Sequence, residues 1–381
     1  MHIGKVPPAL PAMQRALGLS LVETGFLVSM VQMLGMLFGV LAGRLCDLIG
    51  GRKSLVIGQS ILAIASLAAL VTTSVTELLV LRALEGAGFL LVVLPAPKLI
   101  RSSLDESKLS IFLGLWGTYM GIGIAISLLV GSLFANGSGW QGYWLLLGVT
   151  SLVTAYLVAK QVPAETSMHI YRQQHDAGFG AVLAETLKST GPWSVSVAFA
   201  MYSTQWLVVI GFLPSIYIAA GISPDFTGIV TGLVCLANVI GSLYAGRLLF
   251  RGLPIRLMLA ISYIGMAITG FFIFSVSAQQ MIWVNFCCAL LFSAFSGLVP
   301  ATLFLAAIRV SSSNQNISTT VGFMQQCSSF GQFAGPPIVG WMVSQYEGWE
   351  ITWVITTLLS FVGLMLSIFG NFRSSNDRVT G

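Results

Sequence analysis

The chain has 381 residues, 56% of them hydrophobic and only 8% charged, with a formal net charge of +5 and a pI near 9.0. Soluble domains carry about 25% charged residues, so this composition excludes a soluble enzyme, a nucleic-acid-binding domain and a disordered chain. At about 20 apolar residues per membrane span, the length holds roughly eleven or twelve transmembrane helices.

Taken in chain order, apolar runs fall at 24–43, 54–74, 77–100, 109–134 and 143–159. A polar stretch follows over 161–190, and further runs lie at 193–219, 226–250, 257–276, 281–307, 317–343 and 351–369. The division is an N-terminal transmembrane half over 1–160, a central loop over 161–190 and a C-terminal half over 191–381. Lys and Arg concentrate in loops on the side toward which the first long run ends. Of the 18 basic residues, only Lys5 and Arg15 are placed on the other side, with Arg82 inside a span. The excess of cationic loops makes that side cytoplasmic and puts the C-terminus there.

The two halves repeat one another. Gly43-Arg44-Leu45 recurs as Gly246-Arg247-Leu248, Pro95 matches Pro300 and Gly114 matches Gly322. A repeat of one orientation requires an even number of spans per half, yet the first half shows one fewer than the second. The opening MHIGKVPPALPAMQRALG therefore reads as the outer end of a first helix whose membrane part precedes Met1, an internal or misassigned start.

The stretch Gly43-Arg44-Leu45-Cys46-Asp47-Leu48-Ile49-Gly50-Gly51-Arg52-Lys53 resembles the cytoplasmic loop signature of the major facilitator superfamily, G-x-L-x-D-x-x-G-R-K/R. Leu48 departs from it where a base is usual, Gly51 displaces the first base, and Phe250 stands where the second half would carry the Asp. The resemblance implies an all-α membrane bundle of two pseudo-symmetric six-helix halves, about eleven of whose spans are in this chain. It also implies a cytoplasmic gate built from Gly43, Asp47, Gly50, Arg52, Lys53 and Arg101, in which Asp47 meets the start of the helix at 317 together with a base such as Arg101. A carboxylate suits the positive end of a helix, and a switching protein needs a contact that can break.

Glycines at four-residue spacing (Gly35/Gly39/Gly43, Gly117/Gly121, Gly228/Gly232, Gly331/Gly335) mark faces that let helices approach closely. With the preceding helix counted, they fall on the second, fifth, eighth and eleventh spans, which join the halves in this superfamily. Arg82-Ala83-Leu84-Glu85-Gly86-Ala87-Gly88 resembles its fourth-helix motif R-x-x-Q-G-x-G, with Glu85 for the amide. Charges at that depth are costly, and i, i+3 spacing lets the two pair. A structural pair, a proton carried by Glu85 and attraction of an anion by Arg82 all stay open.

The fifth-helix proline signature of drug/proton antiporters is absent from Gly121-Ile122-Gly123-Ile124-Ala125, which counts against an exporter of drugs. Gly114-Leu115-Trp116-Gly117-Thr118-Tyr119-Met120 after Pro95-Ala96-Pro97 resembles the cyanate/nitroimidazole transporter branch, implying a small polar or anionic solute. Polar and aromatic residues at mid-span are the cavity candidates: Trp116, Tyr119, Tyr202, Gln205, Trp206, Asn238, Asn285, Gln325 and Gln326, beside Arg82 and Glu85. Tyr202, Gln205 and Trp206 share a helical face by spacing.

His2, His169 and His175 lie outside the apolar runs and the five cysteines form no CxxC pair, so no metal or cofactor is expected. The expectation is a monomeric, multi-pass secondary transporter of the bacterial inner membrane, working by alternating access on a small solute and coupled to protons. A solute sensor built on the same scaffold, or an efflux antiporter, is the alternative. No Walker-type phosphate loop is present.

Overall fold

The computed structural model describes residues 1–72, 74–96, 99, 118–134, 139–162, 179–275, 281–311, 314–346 and 348–372; the side chains of Arg44, Asp47, Leu48, Phe179 and residues 314–318 are also outside the description. Among the described residues the chain is helical throughout, with no strand. The helices are α1 (Val6–Leu17), α2 (Leu21–Ser29), α3 (Met33–Ile49), α4 (Gly51–Ala68), α5 (Val75–Val93), α6 (Tyr119–Phe134) and α7 (Gly139–Gln161). After them come α8 (Phe179–Lys188), α9 (Thr190–Ala219), α10 (Pro224–Phe250), α11 (Ile255–Ser275), α12 (Ile282–Val310), α13 (Asn314–Tyr346) and α14 (Thr352–Phe369).

Each apolar run of the sequence corresponds to one of these helices, the first being shared by α2 and α3 across a 3-10 turn at Met30–Gln32. Seven helical segments among the described residues are long and apolar enough to cross a membrane. α5 carries three ionisable groups, Glu77, Arg82 and Glu85, and α13 is rich in Gln and Ser. Polar side chains on these helices are affordable in lipid only where they turn inward.

The N-terminal turn is set by local chemistry. Gly18 closes α1 in the left-handed region at φ 65°, and Ser20 and Glu23 form a reciprocal capping box that starts α2. This turn and the one at Gly221 lie on one face of the bundle. The turns at Gly50 and Gly252, flanked by Arg52, Lys53, Arg247, Arg251 and Arg256, lie on the other, the basic face.

Contacts between the helices before residue 162 and those after 179 run through α6 against α10, α2 and α3 against α13, and α1 against α9. The glycine stripes account for much of this. Gly35 and Gly39 face Ser329 and Gln326, Gly121 faces Val239, and Gly228 and Gly232 face Ser132 and Leu129. Gly331 and Gly335 depart from the sequence expectation, because they lie against Thr204 on α9, a neighbour within the same half. Gly117 lies outside the described residues. For Gly43 and Gly246, the repeated pair at the basic ends of α3 and α10, an added Cβ would meet no atom within 4 Å among the described residues.

At the opposite face the approach is closest. A Cβ on Gly25 would meet Pro336 and Pro337 at 2.7 Å, one on Gly340 would meet the Leu21 backbone, and Phe26 and Phe333 lie with ring centroids 6.0 Å apart. Gly25→Ala is therefore expected to lower stability by about 1–3 kcal/mol through overpacking. Gly43→Ala, with nothing within 4 Å of the added carbon, is expected to leave it unchanged; melting of the two purified proteins in detergent checks the contrast.

Candidate functional site

Where α2 and α3 meet, the backbone is interrupted by the 3-10 turn, and Gln32 ends that turn pointing inward, almost wholly buried. Its Nε2 donates to Gln332 Oε1 at 3.1 Å, and Ser329 Oγ donates to its Oε1 at 3.3 Å. Gln332 Nε2 in turn donates to Ser328 Oγ at 2.8 Å, and Ser328 Oγ to Ser203 Oγ at 2.9 Å. This polar chain ties α2/α3 to α13 and α9 and forms the wall of an open cavity, about 1070 Å³ of empty space with the solvent at its mouth included.

The cavity lies toward the basic face. Tyr119, Tyr202, Trp206, Phe89, Phe199 and Phe304 supply its aromatic surface, and Gln32, Asn238, Gln325 and Gln332 its amides. No Asp, Glu, Lys, Arg or His is among its described lining residues. With its amide oxygen turned toward α12 and α9, Asn238 accepts from the Gly297 N–H and Trp206 Nε1, both at 3.2 Å, and from Ser296 Oγ at 2.8 Å. The indole is thereby fixed across the cavity with no polar group of its own unmet.

Of the sequence candidates, the structure brings Tyr119, Tyr202, Trp206, Asn238 and Gln325 to this cavity and sends others elsewhere. Gln205 turns to α14, where its Oε1 accepts from Ser360 Oγ at 2.9 Å. At about 100° per residue, Phe199, Tyr202, Ser203 and Trp206 span an arc of about 100°, and Gln205 falls about 60° beyond its edge. Asn285 braces the α11–α12 hairpin by donating to the Ile273 carbonyl at 2.7 Å, well away from the cavity. Trp116 lies outside the described residues. Gln32, Ser203, Ser328, Ser329 and Gln332 were not singled out from sequence. The α13 set did carry a signal, since Gln325, Ser328, Ser329 and Gln332 follow the i, i+3, i+4, i+7 pattern of one helical face.

Arg82 and Glu85 do pair, at 2.5 Å between Nη1 and Oε2, but not at the cavity. They join a buried ionic group under α1. Lys5, placed outside by the charge pattern, is fully buried and forms a hydrogen-bonded ion pair with Glu85 Oε1. The reason is α1 itself: its 12 residues carry the chain about 18 Å inward from the turn at Gly18, whereas Arg15 stays exposed near that turn. Lys5 Nζ also donates to Ser66 Oγ at 2.9 Å and lies 4.5 Å from the centre of the Trp144 ring. Arg82 donates to the carbonyls of Leu27 at 3.1 Å and His2 at 2.9 Å. Each carboxylate oxygen of Glu85 thus has its own cation, with Ser66 Oγ as a further donor at 3.0 Å.

The gate expected on the basic face is only partly within view. The side chain of Asp47 and all of Arg101 lie outside the described residues. Gly50 adopts φ 92°, which permits the sharp α3–α4 turn, and Lys53 is exposed. Arg52 donates to the Ala159 carbonyl, bracing α4 against α7. Among the described residues no cluster of His, Cys, Asp and Glu is arranged to hold a metal ion.

Comparison with known proteins agrees with this geometry. The family model of the Major Facilitator Superfamily matches residues 3–311 and 195–378. The 2-nitroimidazole transporter of Escherichia coli is 26% identical over 95% of this chain and 89% of its own. A probable sulfoacetate transporter of Cupriavidus necator is 22% identical over 95% and 88%. Among solved structures, a D-xylose-proton symporter superposes with a TM-score of 0.74 at 16% identity, covering 97% of this chain and 93% of the other.

Removing the carboxylate of Glu85 leaves two buried cations without their counter-charge. Glu85→Ala is expected to cost about 3–5 kcal/mol, read as a large fall in the detergent melting midpoint.

Proposed function

The chain belongs to the Major Facilitator Superfamily and is a multi-pass secondary transporter of a small solute; from that premise we propose that its cargo is an uncharged, flat, polar molecule such as a small heteroaromatic. The observation that carries this reading is the cavity lining: six aromatic side chains, four amides and several hydroxyls, with no ionic group among the described residues. Rings offer stacking faces and amides offer directional hydrogen bonds. An anion there would lose its hydration without gaining a counter-charge. Arg82, the cation that could have drawn an anion, spends its charge on Glu85.

The transport cycle follows from the placement of the contacts. We take the division at 1–160, 161–190 and 191–381 as that of two rocking halves and their linker, and the basic face as cytoplasmic by its Lys and Arg content. In this reading the C-terminus is cytoplasmic and the state described is open to the cytoplasm. The packing at Gly25 and Gly340 closes the outer side, and the polar chain from Gln32 to Ser203 bridges the halves behind the cargo. Outward opening requires breaking the Gln32–Gln332 contact and the packing at Gly25 and Gly340. The protein acts as a monomer in a bacterial inner membrane, without a cofactor.

Uptake into proteoliposomes tests the cargo class. 2-Nitroimidazole is expected to exchange across the membrane, and sulfoacetate is expected not to compete with it. Trp206→Ala is expected to reduce the exchange rate about tenfold at low cargo concentration, the loss of about 1.4 kcal/mol of stacking and packing. Preferential uptake of sulfoacetate would contradict the reading.

A further inference from the structure

We propose that Lys5 is the residue that binds and releases the proton coupled to transport, a proposal that rests on the secondary-transport reading above. Three formal charges meet at one buried point: Lys5 and Arg82 are cations, and Glu85 is the single carboxylate between them. As side-chain types, a guanidinium remains charged in proteins whereas an ammonium can give up its proton when desolvated. Glu85 accepts hydrogen bonds from Lys5, Arg82 and Ser66, so its two oxygens are already occupied by donors. Lys5 is the member with two workable forms. Protonated, it ties the start of α1 to α5 and leaves the group one positive charge in excess. Neutral, it still donates a hydrogen bond to Glu85 while Arg82 and Glu85 balance one another.

The surroundings of the ammonium fit a site that changes charge. The titratable and charged side chains facing it are Glu85, Arg82 and His2. α4 contributes the Ser66 hydroxyl and α7 the face of Trp144. His2 is the rival carrier, with Nδ1 4.0 Å from Glu85 Oε1, but its ring is engaged by Ser66 at 3.3 Å and Ser151 at 2.8 Å. A small gap adjoins the group, lined by Val6, Leu27, Arg82, Glu85 and Trp144 among others, and Arg82 Nη2 is buried with no partner among the described residues. A gap of that size has room for about one water, which would accept from Nη2, and none for cargo. In the release step one N–H bond of Lys5 Nζ breaks, its electron pair stays on nitrogen, and the proton leaves on water as hydronium; uptake is the reverse.

Coupling follows from what α1 touches. The helix that begins one residue after Lys5 packs on α9 and on α6, so one element carries both the proton site and a contact across the two halves. With the ammonium present α1 is held to α5. With the amine neutral that tie weakens, and α1 can follow α9.

Two readouts test this. The first needs no cargo: the melting midpoint of the purified protein is followed from pH 6 to 11. The wild type is expected to show an upward step of about 2 °C, because stability rises with pH where the folded chain holds the proton about tenfold more weakly than the unfolded one. Lys5→Arg and Lys5→Met are expected to lack the step and His2→Asn to keep it. The second compares counterflow with pH-gradient-driven accumulation of 2-nitroimidazole in proteoliposomes. Lys5→Arg is expected to retain counterflow and to lose at least nine-tenths of accumulation. A wild type without the step, a step that survives in Lys5→Arg, one that disappears in His2→Asn, or full accumulation by Lys5→Arg would overturn the proposal. Failure of wild-type counterflow would instead count against the cargo reading, while the melting profiles still decide the role of Lys5.

Discussion

The whole arrangement depends on how closely helices from the two halves approach at one face. In lipid there is no hydrophobic drive pulling one apolar helix onto another, so association relies on close packing and on internal polar contacts. Gly25 against Pro336 and Pro337, and Gly340 against Leu21, bring α2 and α13 together backbone to backbone. Toward the basic face α3 continues this seam with α13, Gly322 lying against Val40 and Gln326 Oε1 accepting from the Val40 N–H at 3.3 Å. The cavity lies beside this seam, and the polar chain through Gln32, Gln332, Ser328 and Ser203 forms one of its walls.

A second constraint divides the polar groups into two compartments. Ionised side chains inside a membrane protein must pair or reach water, and here they gather under α1, where Lys5, Arg82 and Glu85 satisfy one another. Amides, hydroxyls and aromatic rings gather at the cavity instead. Neutral polar groups can line a space that fills and empties without a large change in electrostatic energy, whereas an unpaired charge there would suffer one at every turnover. In the proposed reading this separation provides a neutral cargo surface and a charged group linked to it through α1 and α9.

The helices were legible in the sequence because lipid enforces a simple rule: backbone groups pair within a helix and side chains outside it are apolar. The pairing of Arg82 with Glu85 was legible for a similar reason, three residues being close to one helical turn. Positions that depend on tertiary packing were harder to read. Gln205 lies near Tyr202 and Trp206 on the helix surface, yet α14 captures it. Asn285 carries the same residue chemistry as Asn238 but sits at a hairpin rather than at the cavity. Lys5 looked like a loop charge because only the depth of α1 reveals where its ammonium ends, and Gln32 stood alone in an apolar run with no periodic partner. The repeat predicted that Gly43 and Gly246 are equivalent, and they occupy equivalent open positions; the stripes of α13 misled at Gly331 and Gly335 because α9 also needs small neighbours.

The central claim, that two halves rock about one cavity, is tested most directly by distances between paired spin labels on opposite faces. Labels at Leu45 on α3 and Ile308 on α12 report the basic face; labels at Leu133 on α6 and Phe226 on α10 report the other, and all four side chains are exposed. Addition of 2-nitroimidazole to the protein in lipid is expected to shorten the first distance in a fraction of molecules and to lengthen the second in the same fraction. Two distances that stay fixed, or that change in the same direction, would contradict the account.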